Sequence, residues 1–179
     1  MKRIDTYLYL SELKKLVEQG ETVGVPVAGN SMEPFLKDQR DFVYFRKPEG
    51  ALKPGDIVFF QRRNGQYIMH RIQNIQIYKN RDGTEEKRFD LAGDNQRNIE
   101  PGIRYGQIFA KVVQVKRKGR LLDETDLMWK FYAKFWPFVI EMRGKRSVHK
   151  KKIFPKLFSR IKKNRKLQRS SEKNRENSK

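Results

Sequence analysis

From Thr22 to Val115 the chain runs through short β-branched and aromatic segments, broken at close intervals by turn residues. Segments of this length bury themselves only by pairing with one another, so the pattern restricts the domain to a mainly β architecture, a folded or barrel-like sheet. Candidate strands cover 22–28, 41–45, 56–61, 66–77, 87–92 and 107–116. Lys53-Pro54-Gly55-Asp56, Arg63-Asn64-Gly65 and Arg81-Asp82-Gly83 supply the turns between them. Arg63-Asn64-Gly65-Gln66 reads as a hairpin, because Asn-Gly accepts positive φ at low cost.

Helices are expected on both sides of the sheet. Over residues 4–19, Ile4, Leu8, Leu13, Leu16 and Val17 fall near helical spacing and Gly20 is placed to end the helix. This segment, 1–21 with its flanks, is expected to pack on the β domain and is too short for a helix-turn-helix module. The β domain itself is expected over 22–122. A second helix is expected over 124–142, with Asp123 or Thr125 as N-cap and a kink at Pro137. Its side chains are apolar round most of the circumference, with Lys130, Lys134 and Glu141 grouped on one side.

Charge sets the tail apart. The chain holds 41 Lys and Arg against 21 Asp and Glu, a formal net charge of +20, and residues 143–179 account for 16 of the basic and 2 of the acidic side chains. A segment so basic is expected to lack regular structure and to face nucleic acid, anionic lipid or solvent. Its interleaved Ile153, Phe154, Leu157 and Phe158 argue against a phosphate track, so nucleic acid is the disfavoured partner. Trp129, Phe135 and Trp136 in the preceding helix are candidates for contact with an anionic membrane; the alternative is that this helix packs on the sheet as a second core. Neither an apolar signal region nor a window of about 20 apolar residues occurs. The expected location is therefore cytoplasmic, soluble or peripheral on the inner face of the membrane.

The absence of cysteine excludes disulfides, thiolate metal sites and a cysteine nucleophile. With only His70 and His149, a multi-histidine metal site is not expected, and neither is a cofactor. The polar residues with a chemical reading are few. Ser31, in Gly29-Asn30-Ser31-Met32-Glu33-Pro34, sits between a strand end and a proline-fixed turn, where a nucleophile can be held exposed; the same hexapeptide also reads as an ordinary turn. His70 alternates with Ile68 and Ile72 on one strand face, where partial desolvation keeps an imidazole neutral and able to accept a serine proton. Asp94, in Gly93-Asp94-Asn95, is a candidate to orient that histidine, and Glu100 is a second candidate for the same role.

Ser-Met-Glu-Pro at 31–34, Lys-Pro-Gly-Asp-Ile-Val-Phe-Phe at 53–60, His-Arg-Ile at 70–72 and Gly-Asp-Asn at 93–95 together resemble, in order and spacing, the signal peptidase / LexA-like serine peptidase superfamily. The resemblance spans roughly residues 22–116. It is closest to the serine–histidine branch, in a stand-alone bacterial form without a transmembrane anchor; the leader-peptidase branch has a lysine general base where this chain has His70. The resemblance implies Ser31 as nucleophile, His70 as general base and Asp94 on the family's aspartate. Relatives in this branch commonly carry a further aspartate a few residues on, where this chain has Glu100, and often a serine where it has Gly29. The oxyanion hole would then rest on the Ser31 backbone N–H with Asn30 or another main-chain donor. The implied activity is endoproteolytic cleavage of an extended signal, leader or precursor peptide lying along the strand edge near Val25–Ala28, with small side chains before the cut. The competing expectation is an inactive peptidase-fold protein that binds nucleic acid or anionic membrane through its tail.

Overall fold

Every strand pairing in the computed structural model, which describes residues 6–143, is antiparallel. The strands are β1 (Val23–Pro26), β2 (Phe42–Arg46), β3 (Ile57–Gln61), β4 (Tyr67–Lys79), β5 (Glu85–Ala92), β6 (Glu100–Arg104), β7 (Ile108–Arg117) and β8 (Arg120–Asp123). They form one curled, half-barrel sheet in the order β1-β2-β7-β3-β4-β5-β6, with β8 added to β7. The mainly β expectation holds, and six strands fall within two residues of the expected segments.

The other two strands were hidden for physical reasons. β6 contains Pro101 and Gly102, which read as breakers, yet it is an edge strand and so tolerates a missing ladder donor. β8 is four residues long with charged ends, but the loop before it carries a signal. Lys118 and Gly119 both have positive φ (50° and 82°) and join paired Arg117 and Arg120, the geometry of a two-residue type I′ hairpin. At the expected hairpin, Gly65 alone adopts positive φ (87°), while the Asn64 side chain accepts the Gln66 N–H at 3.1 Å.

Alternation along β3 and β4 divides the interior in two. Val58, Phe60, Ile68 and Ile72 join Phe89, Leu91 and Ile108 on one side of the sheet. Ile57, Phe59, Tyr67 and Met69 lie on the other, with Val25, Phe35, Phe45 and Trp129. Helix α1 (Thr6–Glu18) ends at Gly20, whose φ is +96°. Its Leu13 and Val17, one turn apart, are buried on the second cluster, whereas Leu8 and Leu16, expected on the packed face, are 61% and 42% exposed. The helix touches the sheet along one narrow stripe, and both residues lie off it. Ile4 lies outside the described residues.

Residues 127–143 form helix α2, which starts three residues later than expected and is helical on both sides of Pro137. Asp123 serves the turn before it, accepting the Thr125 N–H at 2.8 Å, and Asp126 immediately precedes the first helical residue. Of the three side chains expected at a lipid surface, two turn inward. Trp129 is buried edge-on against Phe35, and half-buried Trp136 donates its indole N–H to the Asp94 carbonyl at 2.8 Å. Only Phe135 remains outward, 51% exposed. The basic tail lies outside the described residues.

Gly55, in the Lys53-Pro54-Gly55-Asp56 turn, adopts φ +94° and lies so close to α2 that any Cβ would collide with the Ala133 carbonyl. Gly83 has a similar φ, +82°, but faces open space. Gly83→Ala should therefore cost only the left-handed strain, about 1–2 kcal/mol. Gly55→Ala adds backbone displacement and should cost about 3 kcal/mol or more. Thermal unfolding of the two variants checks the order.

Candidate active site

Ser31 sits on the turn that follows β1, and the turn is held from two directions. Gly29, at φ +81°, donates its N–H to Asp38 Oδ1 at 2.8 Å. From the far end of β5, the Asn95 N–H donates to the Ser31 carbonyl at 2.8 Å and the Asn95 side-chain amide to the Asn30 carbonyl at 3.3 Å. Gly93-Asp94-Asn95 thus clamps the serine turn across 60-odd residues of chain.

His70 lies opposite Val58 in the β3–β4 ladder and is 1% exposed. Its Nε2 looks toward the serine across Gly93. A Cβ built on Gly93 would lie 3.1 Å from His70 Nε2, 3.1 Å from Ser31 Cβ and 2.6 Å from the Ser31 carbonyl oxygen. The missing side chain of Gly93 is therefore what lets Ser31 and His70 come this close to the same stretch of backbone. Ser31 Oγ makes no hydrogen bond, to His70 included, among the described residues; nucleophile–base pairs are often loose before substrate arrives.

On the other side of the ring, His70 Nδ1 lies 3.2 Å from Glu100 Oε1, off the axis a good hydrogen bond needs. Glu100 is itself fixed by Arg62, which donates Nε–H to Oε2 at 2.7 Å and an Nη2 hydrogen to Oε1. The carboxylate beside the histidine is therefore Glu100. Asp94, read as the first candidate to orient His70, instead has both carboxylate oxygens accepting from Arg71, at 2.8 Å each. The reason is in the strand pattern: Arg71 follows His70 and points to the opposite face, and Asp94 meets it there.

Burial pushes the His70 pKa down to about 4; Glu100 opposes the shift, and the Arg62 guanidinium adds to it. The imidazole is neutral near pH 7. Because the unfolded chain takes up this proton near pH 6.5 and the folded chain does not, stability is complete above pH 6.5. It falls by up to about 3 kcal/mol as the pH drops toward 4.

The remaining parts are a donor set and a groove. Among the described residues, neither the Ser31 N–H nor the Asn30 N–H donates to another protein group, and the Asn30 side-chain amide is also unengaged. A cleft of about 330 Å³ runs beside the serine turn, walled by Tyr9 and Leu10 of α1, Val25 and Val27, and Tyr67 and Met69 of β4. β1 ends the strand order, so one of its edges is open, and β5 pairs with β4 only from Arg71 onward. No group of His, Cys, Asp and Glu able to hold a metal ion occurs among the described residues. Sequence reasoning missed Arg62, which stands 38 positions from Glu100 with no local signal to join them, and the close approach that Gly93 permits. The chain matches no protein-family model and no curated protein.

NMR titration of the His70 ring should give a midpoint near pH 4. Arg62→Gln should raise it, by removing a cation, and Glu100→Gln should lower it further, by removing an anion. A wild-type midpoint near 6.5 would contradict the burial described here.

Proposed function

We propose that this protein is a serine endopeptidase and that its sheet is a peptidase domain of the signal peptidase / LexA-like type. One observation carries the reading: Ser31 and His70 Nε2 both close on the same point beside Gly93, while a carboxylate stands behind Nδ1. A nucleophile, a neutral base and an orienting acid in that sequence are the parts of acyl transfer.

In the proposed mechanism Ser31 Oγ adds to the scissile carbonyl carbon while His70 Nε2 takes the hydroxyl proton. Glu100 stabilises the resulting imidazolium through Nδ1–H, the role first read onto Asp94. The oxyanion draws on the Ser31 N–H and the Asn30 donors. Collapse of the tetrahedral species breaks the C–N bond, and the leaving amine takes the proton from His70. Water, deprotonated by the same nitrogen, then hydrolyses the ester.

The substrate is a peptide or protein precursor bound as an extended strand along the open edge of β1, with its side chains in the cleft that Val25, Val27 and Met69 line. A base whose pKa lies near 4 is available at neutral pH but weak, so turnover is slow unless Glu100 closes on Nδ1 when the transition state forms.

Ser31→Ala should reduce cleavage by roughly 10⁴-fold or more. Glu100→Gln should lower kcat by roughly 10²–10⁴-fold with the fold intact. Asp94→Asn should act through stability instead, lowering the melting temperature because it leaves Arg71 buried without its counter-ion. Mass spectrometry of small and secreted peptides from hosts carrying wild type or Ser31→Ala reads the activity. Matching profiles under conditions of expression would remove the peptidase reading in favour of an inactive domain.

A further inference from the structure

α2 carries a second apolar face that nothing in the described chain covers. Leu127, Met128, Phe131, Phe135 and Phe138 are 84, 41, 52, 51 and 63% exposed. At about 100° per residue these positions fall within roughly 100° of arc, one continuous stripe. Buried Trp129 and half-buried Ala133, which pack on the second cluster, and buried Ile140 lie on the opposite side of the helix. Phe131 and Phe135 stack on each other with ring centres 5.1 Å apart, so the outward rings form a surface rather than isolated exposures.

The charges around the stripe are mainly basic. Exposed Lys130 and Lys134 run along one border, with Glu141 the one acidic residue on that side. At the N-terminal end, a cleft of about 760 Å³ is lined by Arg117, Lys118 and Arg120 together with Leu127 and Met128 of the stripe. Asp126 engages Arg120 at 3.3 Å there, and Arg117 is held by the Phe35 carbonyl at 2.7 Å; Lys118 makes no side-chain ion pair among the described residues. The chain continues from α2 into residues 143–179, with their 16 basic side chains.

We infer that this face of α2 docks on an anionic lipid surface, the aromatic stripe entering the headgroup boundary and the lysines and the basic cleft meeting lipid phosphates. An aromatic face bordered by cations is the composition that interfacial helices use. A second copy of the chain fits the face less well, because like-charged rims on molecules of net charge +20 would be brought together. The contact differs from the one expected from sequence, since the two tryptophans face inward and the phenylalanines carry it. It is also independent of the peptidase reading. If both hold, docking sets the bilayer one helix diameter, roughly 10 Å, from the face of α2 whose Trp136 holds Asp94.

The test is flotation of the full-length protein with phosphatidylcholine vesicles and with vesicles containing 30% phosphatidylglycerol, at low salt and at about 0.5 M salt. Wild type should bind the anionic vesicles at least about ten-fold better than the neutral ones at low salt. Phe131→Ser/Phe135→Ser/Phe138→Ser should lose at least about ten-fold at either salt, while circular dichroism still shows a cooperatively folded protein, because these side chains are half exposed or more and none belongs to a buried cluster. In a Phe135→Trp variant, brominated acyl chains should quench emission beyond the quenching seen for wild type. Equal binding by the triple variant, which would assign attraction to the tail alone, overturns the inference. So does failure of wild type to bind anionic vesicles, or a wild-type dimer that the triple variant dissociates without any vesicle binding.

Discussion

The buried pair between Arg71 and Asp94 is the contact on which the rest of this molecule converges. Both side chains are fully enclosed, and their two parallel hydrogen bonds of 2.8 Å satisfy one charge with the other. Arg71 also donates to the Gly55 carbonyl at 2.9 Å and lies 5.3 Å from the centre of the Phe35 ring. The Asp94 carbonyl accepts from Trp136. One ion pair therefore ties together the serine turn, the turn before β3, strand β4, the loop after β5 and helix α2. Such a pair adds little net stability over an apolar substitute, but removing one partner strands the other charge at a cost of about 3–5 kcal/mol. Its effect is geometric: five chain segments distant in sequence must arrive together.

That convergence leaves His70 in an exacting environment. The strand that aims Arg71 into the ion pair aims its neighbour His70 into the opposite apolar cluster, where Phe60 lies 5.9 Å from the imidazole ring. Desolvation there outweighs the attraction of Glu100, whose charge is already shared with Arg62. The site thus favours a neutral, weakly basic imidazole over a strongly basic one. The chemistry proposed at Ser31 depends on how far Glu100 strengthens its hold on Nδ1 as charge develops.

Much of the architecture was legible in the chain because local rules agree with global ones. Alternation, Asn-Gly and Pro-Gly turns and a glycine-terminated helix gave six strands and α1. β6 escaped because Pro101 and Gly102 are penalised only within a sheet, not at its edge. The site was legible as a set of residues but not as a set of partnerships. Asp94 and Glu100 are both acids downstream of His70, and only the opposed directions of His70 and Arg71, together with the β5–β6 pairing that returns Glu100 to the histidine face, sort one from the other. Likewise, the apolar circumference of α2 announced two destinations without assigning them; the assignment came from Phe35 and Asp94, which claim Trp129 and Trp136.

The role proposed for Ser31 is that of a nucleophile served by His70. Its most direct measurement is reaction of the purified protein with an activated acyl ester of a short peptide, followed by mass mapping of the acyl group. A single acyl adduct on Ser31 should form in wild type and fail to accumulate in His70→Ala. An adduct elsewhere in the chain, or equal acylation of Ser31 in wild type and His70→Ala, would contradict it.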